Sequence, residues 1–334
     1  MAGKKHGTTV ILCLSLLLGH PVNAQVAPPS EPMLVGLEYA VVDNDRLTAS
    51  MASIFGDAGL TSMKLLGEAS QWGRMQKRSQ QAIDFSGTDR FVREYQRHGV
   101  SELVMALKSL SPWASVKSGW FGKQNPVPKP EHRQRYAKWV SAVVERYDHD
   151  GVDDMPGLQR PVRYFEIGSE FSSFEPEPVD EYLAMLAIAY RSAKQANANS
   201  VITHAAFLTT PVNLDVSDYA TLEQLWRDTP MQDRHHDIND IRAVLDHPNL
   251  FDVVNVHNLG DPYEIEHIKQ WLDHEMDLRG YDKPVIISDT IPTSYIAWGP
   301  ATRCNKGAMG VLIPPATELD RCALAQYFLS LIHI

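Results

Sequence analysis
Cysteine is scarce in this sequence, three residues in 334, and no Cys-x-x-Cys pair occurs. A glycine-rich phosphate loop, a His-Glu-x-x-His pair and a Gly-x-Ser-x-Gly elbow are missing as well. Those absences argue against a phosphate cradle, a zinc-protease helix and the serine nucleophile of an α/β hydrolase. No internal repeat or low-complexity tract is present. Positive charge is short: Lys and Arg number 31 against 41 Asp and Glu, a net charge of -10. Such a chain repels phosphate backbones, so nucleic acid is not expected as a partner. What is there, 44% hydrophobic and 22% charged residues, is the composition of a globular protein with ample core.

The apolar run Val10–Leu18 is too short to cross a bilayer. Lys4 and Lys5 precede it, and Val22-Asn23-Ala24 resembles a small-residue cleavage site, the pattern of an export signal. Residues 1–24 are therefore expected to be a signal peptide, giving a secreted or periplasmic protein with no stable membrane insertion after cleavage. An N-terminal anchor helix is the alternative. Residues 25–32 read as an exposed linker. Cys13 falls inside the signal; Cys304 and Cys322 remain, either as one disulfide in an oxidising compartment or as two thiols. The last six residues, LSLIHI, back-translate to CTG TCT CTT ATA CAC ATC, a transposon end used in sequencing libraries. The native sequence is expected to be cut by that artefact near Phe328, leaving residues 329–334 as a non-native tail; a coincidental apolar tail is the alternative.

Between these ends, strand-like and helix-like segments alternate. Strands are expected at Met33–Val41, Ser62–Leu66, Leu103–Leu107, Tyr164–Glu170, Val201–Phe207, Phe251–His257 and Val285–Asp289. Helices are expected at Arg46–Asp57, Thr88–His98, over Tyr136–Tyr147 and Val179–Tyr190, at Ile238–Leu245 and Pro262–Leu278, and again from Glu318. Strict βα alternation implies a parallel sheet. An open doubly wound sheet is one solution. An α/β (β/α)8 TIM barrel over residues 33–328, cut before its eighth βα unit, fits the count better.

Barrel enzymes carry their reactive groups at the C-terminal ends of strands. The stretch YFEIGSEF closes a strand on Glu170, with Glu166 four residues earlier. Side chains alternate along a strand, so Tyr164, Glu166, Gly168 and Glu170 are expected on one face. VIISDT ends on Asp289 in the same way. Two carboxylates from different strands facing one cavity are what glycoside hydrolysis requires. Glu166 reads rather as a paired residue inside the barrel, since an unpaired carboxylate there is costly.

RYFEIGSEF resembles the strand-four motif of clan A glycoside hydrolases, Glu-x-x-Asn-Glu-Pro, and is closest to the family 39-like group. KPVIISDT is similar to the strand-seven motif, FDVVNVHNLGD to the strand-six segment and LKSLSPWAS to the end of strand three. The resemblance implies a carbohydrate substrate, Glu170 as general acid/base and Asp289 at the nucleophile position. It also implies that His257 and Trp113 line the sugar site, and it requires no cofactor. The departures are specific. Ser169 stands where the family has the Asn that contacts the sugar 2-hydroxyl. Asp289 stands where it has Glu, which retracts the carboxylate by about 1.5 Å, one C–C bond. No Tyr follows His257. A catalytically inactive barrel that binds carbohydrate is therefore the alternative to a glycosidase.

Other strand-end candidates are Glu38 as a substrate contact, Lys64, Lys108 and a core His204. Trp298 and Trp120 join Trp113 as stacking surfaces for a sugar ring. In DHDGVDDMPG, Asp148, Asp150, Asp153 and Asp154 surround Gly151. Carboxylates clustered on a tight turn suit a structural calcium; a solvated acidic turn is the alternative.

Overall fold
The computed structural model describes residues 36–38, 45–65, 69–116, 125–171, 177–209, 238–258 and 264–290. Its seven strands are β1 (Gly36–Glu38), β2 (Ser62–Leu65), β3 (Glu102–Leu107), β4 (Tyr164–Glu170), β5 (Val201–Thr209), β6 (Val254–Asn258) and β7 (Val285–Thr290). The helices between them are α1 (Asp45–Asp57), α2 (Trp72–Met75), α3 (Ser86–Arg97), α4 (Arg133–Arg146), α5 (Val179–Ala196), α6 (Ile238–Leu245) and α7 (Glu264–Leu278). Every strand pairs in parallel with the next, in chain order. β1 comes back into contact with β7, so the sheet is a nearly closed barrel. That is the (β/α)8-type fold expected from the alternation. The expected signal, linker and tail, the helix from Glu318, and Trp120, Trp298, Cys304 and Cys322 lie outside the described residues.

The helices form because their apolar residues recur on one face. In α4, Tyr136, Trp139, Val140, Val143 and Val144 are buried, the spacing of an inner stripe. Pro130 opens the 3-10 turn leading into it, where its missing N–H costs nothing. Gly99 at φ +90° follows α3 in a conformation that L side chains resist. The strands are buried on both faces, as helix-covered parallel strands must be. Each Val, Leu or Phe taken from water contributes about 1.5–3 kcal/mol.

Element boundaries move by a few residues from the sequence expectation. β6 starts at Val254 rather than Phe251, because Asp252 is used otherwise: its carboxylate accepts the Ile202 N–H at 2.8 Å. The four-residue α2 is too short to show a period in the sequence. On the outside, a second ion cluster ties α6 to α7. Arg242 meets Glu275 at 2.7 Å, Arg279 meets Glu275 at 2.7 Å, and Arg279 meets Asp246 at 2.7 Å. Among the described residues no helix is long and apolar enough to cross a membrane.

Candidate active site
The C-terminal ends of five strands deliver polar side chains to one buried cluster. Lys64 of β2 stands at its centre. Its ammonium lies 2.7 Å from Glu166 of β4 and 3.2 Å from Glu38 of β1. It also donates to Ser288 Oγ of β7 at 3.1 Å and approaches His257 Nε2 of β6 at 3.1 Å. An ammonium only donates, so His257 Nε2 accepts and the ring proton belongs on Nδ1. That nitrogen lies 3.5 Å from Glu170 Oε1. Asp289 completes the group: one of its carboxylate oxygens, one of Glu38 and a ring nitrogen of His257 lie within 4.8 Å of one another.

Two irregularities in the ladders shape this arrangement. Between β4 and β5, Ile167 pairs with His204 and Glu170 with Ala206, so β4 carries one extra residue. Between β6 and β7, Val256 pairs with Ile287 and His257 with Asp289, so β7 carries one extra residue at Ser288. Bulges of this kind re-aim side chains beside functional sites. In a regular strand, neighbours point to opposite faces. The bulge in β7 lets both Ser288 and Asp289 join the same cluster. The bulge in β4 breaks the strict alternation expected over Tyr164–Glu170, while Glu170 still reaches His257. On the helix side of that bulge, the Tyr182 hydroxyl of α5 donates to the Ile167 carbonyl at 3.1 Å and accepts the Ala205 N–H at 2.6 Å.

Charge in the cluster is unbalanced. Glu38, Glu166, Glu170 and Asp289 face Lys64 and Lys108, which follows β3. Burial opposes the Lys64 ammonium, but Glu166 and Glu38 outweigh it and hold the proton far above the ordinary lysine range. Burial pulls Lys108 below its ordinary value, with Glu166 opposing. Glu38 is also penalised by burial, yet Lys64, His257 and the Asp289 hydrogen bond keep it below the ordinary carboxylate value. The excess falls on Asp289. Burial first and the Glu38 charge second push it up to about 7, against His257 and Lys64. Glu38 and Asp289 are thus driven apart, Glu38 downward and Asp289 upward.

The structure therefore brings Glu170, His257, Glu38 and Asp289 together. Ser169 is buried beside Glu170 in β4. Trp113 lies apart from these charges in an aromatic group. Its ring meets Trp72 edge-on at 5.1 Å, and its N–H donates to the Gln76 carbonyl at 2.8 Å. His204 is a core residue: its ring stacks on Phe207 and its Nε2 accepts the Asn255 N–H at 3.2 Å. Lys64 and Ser288 were not among the principal sequence candidates. The signal for Lys64 was a lysine inside the four-residue strand SMKL, since lysine is almost never fully buried unless paired.

Two groups of ligand-type side chains could be considered for a metal. Glu38, His257 and Asp289 have atoms within 4.8 Å of one another. The Lys64 ammonium already contacts Glu38 and His257, so it supplies there the positive charge a cation would bring. Asp148, Asp150 and Asp154 also gather within 4.8 Å, without Asp153. Their carboxylates accept N–H groups of their own loop: Asp150 on Asp148, Val152 on Asp150, and His149 and Gly151 on Asp154. Those bonds shape the turn by themselves.

No family model matches the sequence, and no curated protein matches it. Solved structures match the fold. A family 39 β-xylosidase from Caulobacter crescentus superposes with a TM-score of 0.54 at 10% identity, over 85% of this chain and 61% of that one. A glucosidase from Croceicoccus marinus gives 0.54 at 14% identity, over 77% and 52%. An endo-β-1,4-mannanase from Thermotoga petrophila gives 0.50 at 14% identity, over 80% and 62%. The chain spans about half to three-fifths of the length of these structures. At such identities the likeness is one of fold: this chain has the barrel on which those glycoside hydrolases are built.

Proposed function
We propose that the protein is a glycoside hydrolase acting on an oligo- or polysaccharide outside the cytoplasm, through Glu170 and Asp289. One observation carries the reading. Two carboxyl groups, from the ends of β4 and β7, flank one buried imidazole, and burial raises one of them, Asp289, to about 7. Glycoside hydrolysis needs such a pair, one carboxyl protonated and one ionised. The glycosidase fold and the strand-end sequence motifs support the same reading, and the N-terminal signal pattern supports export.

The electrostatics refine the division of labour. The resemblance alone would make Glu170 the acid and Asp289 the nucleophile. In this site burial and the Glu38 charge raise Asp289 to about 7, next to a depressed Glu38, while His257 Nδ1 lies 3.5 Å from Glu170. Asp289 is then the proton donor and Glu170 the nucleophile or base. Turnover of aryl glycosides of xylose, glucose and mannose, followed against pH, tests this. With Asp289 as acid, kcat/KM falls as pH rises through about 7. With Asp289 as nucleophile, it rises through the same value. Glu170→Gln and Asp289→Asn should each lower kcat by at least about 100-fold, within the range of acid–base catalysis. Unchanged turnover in both variants would end the assignment of Glu170 and Asp289. The inactive, carbohydrate-binding alternative is favoured by the same raised Asp289, since a protonated carboxyl cannot attack. It predicts sugar binding without turnover at any pH.

A further inference from the structure
β4 runs past its last pairing with β3, Leu107 with Ile167, and beside Glu170 a side chain from a distant loop takes up its backbone groups. Asn125 lies in the connection between β3 and α4. Its Oδ1 accepts the Ser169 N–H at 2.9 Å, and its Nδ2 donates to the Glu170 carbonyl at 2.9 Å. Asn125 itself is only 2% exposed. A carboxamide offers an acceptor and a donor on two separate atoms of one planar group. An apolar residue here would leave a buried N–H and a buried C=O unmet, each at the cost of desolvation.

The fit is reciprocal. Gly168 has φ +102°, and a Cβ built on it would lie 2.2 Å from Asn125 Oδ1. Glycine at 168 makes the room that the carboxamide fills. The loop also fixes Asn125 from its own side: the Ser109 hydroxyl donates to the Pro126 carbonyl at 2.6 Å, and the Val116 N–H to the Val127 carbonyl at 3.0 Å. The resembling motif has an Asn directly before its glutamate, and here that position is Ser169. An amide is nonetheless present at the strand end, supplied from 45 residues earlier in the chain.

We infer that Asn125 is a positioning residue for Glu170: it locks the bulged end of β4 so that the carboxylate is held against His257. The inference rests on the reading that Glu170 works in this site, and its test separates the two. Asn125→Ala, Glu170→Gln and the double variant are compared by the 15N resonance of His257 Nδ1 at fixed pH and by aryl-glycoside turnover. The groups facing that ring are Glu38, Lys64, Lys108, Glu166, Glu170, Ser288 and Asp289, so pH is held constant across the set. Asn125→Ala should move the resonance toward its position in Glu170→Gln and lower kcat about 10- to 100-fold with little change in KM. In the Glu170→Gln background it should change neither, because it acts through Glu170. An unmoved His257 resonance, or a loss that adds fully to that of Glu170→Gln, would overturn the inference. Full turnover in Glu170→Gln would instead remove the assignment of Glu170 to catalysis, with the resonance still deciding the role of Asn125. If Asn125→Ala does not fold, Asn125→Asp replaces it. That variant keeps an acceptor for the Ser169 N–H, loses the donor to Glu170, and is held to the same outcomes.

Discussion

Two charge clusters sit on opposite sides of the barrel wall, and they differ in balance. Outside, between α6 and α7, Arg242 and Arg279 meet Glu275 and Asp246, two cations against two carboxylates. Inside, at the strand ends, Glu38, Glu166, Glu170 and Asp289 meet Lys64 and Lys108. The outer cluster neutralises itself. Burial works against Glu275, but hydrogen bonds from both arginines outweigh it and hold the carboxylate below its ordinary value. The inner cluster cannot neutralise itself with its own cations, and the excess raises Asp289 to about 7. A balanced network fastens two helices. An unbalanced one shifts a carboxyl toward neutral pH, and pKa shifts of that kind mark working sites.

The comparison can be broken most forcefully at Lys64. Lys64→Met leaves Glu38 and Glu166 buried without their ammonium and should cost about 3–5 kcal/mol in urea unfolding at pH 7. A loss under 1 kcal/mol would mean that the inner charges are far better solvated than their burial implies. Asp289→Asn comes next and acts in the opposite direction. Its folded value of about 7 lies above the unfolded one, so the folded state binds the proton more tightly. Between about pH 4 and pH 7, wild-type stability therefore falls as pH rises, and above that window the cost of the buried charge is complete. The amide keeps a donor toward Glu38 without the charge. Asp289→Asn should be more stable than wild type by about 2–4 kcal/mol at pH 8, with the gap closing toward pH 4.

Glu275→Gln sharpens the contrast with the reverse pH dependence. Glu275 is depressed, so its contribution is present above the unfolded carboxylate value and lost as pH falls through the lower folded one. Its arginines are partly exposed, which screens the pair. A loss of about 1–2 kcal/mol at pH 7 that vanishes in acid is expected from thermal unfolding across pH. Smallest is Lys269→Ala, which removes an exposed pair with Asp273 four residues on in α7. It should change stability by no more than about 0.5 kcal/mol and calibrates the others.

The barrel was legible because each βα unit announces itself locally. Tyr136, Trp139, Val140, Val143 and Val144 repeat at helical spacing, and short apolar runs lie between such stripes. Glu170 and Asp289 were legible as acids closing apolar runs. The network joining them was not, because it depends on long-range register: Lys64 and His257 meet across 193 residues. The bulge at Ser288 has no mark in VIISDT; the bulge in β4 had one in Gly168, whose positive φ no alternation pattern reveals. Trp113 read as a sugar contact through the resemblance of LKSLSPWAS, and its packing against Trp72 is set by a helix too short to see. The acidic turn shows the same limit: four aspartates read alike in sequence, and the fold gathers three.

The proton on Asp289 is the point on which the inner cluster's reading turns. Isotope-edited infrared spectroscopy of the carboxyl groups, on wild type and Asp289→Asn, observes it directly. A neutral carboxylic acid band should be present in wild type at pH 6, fade as pH rises through about 7, and be missing from the variant. Fully ionised carboxylates at pH 6, with identical spectra for the two proteins, would contradict the account.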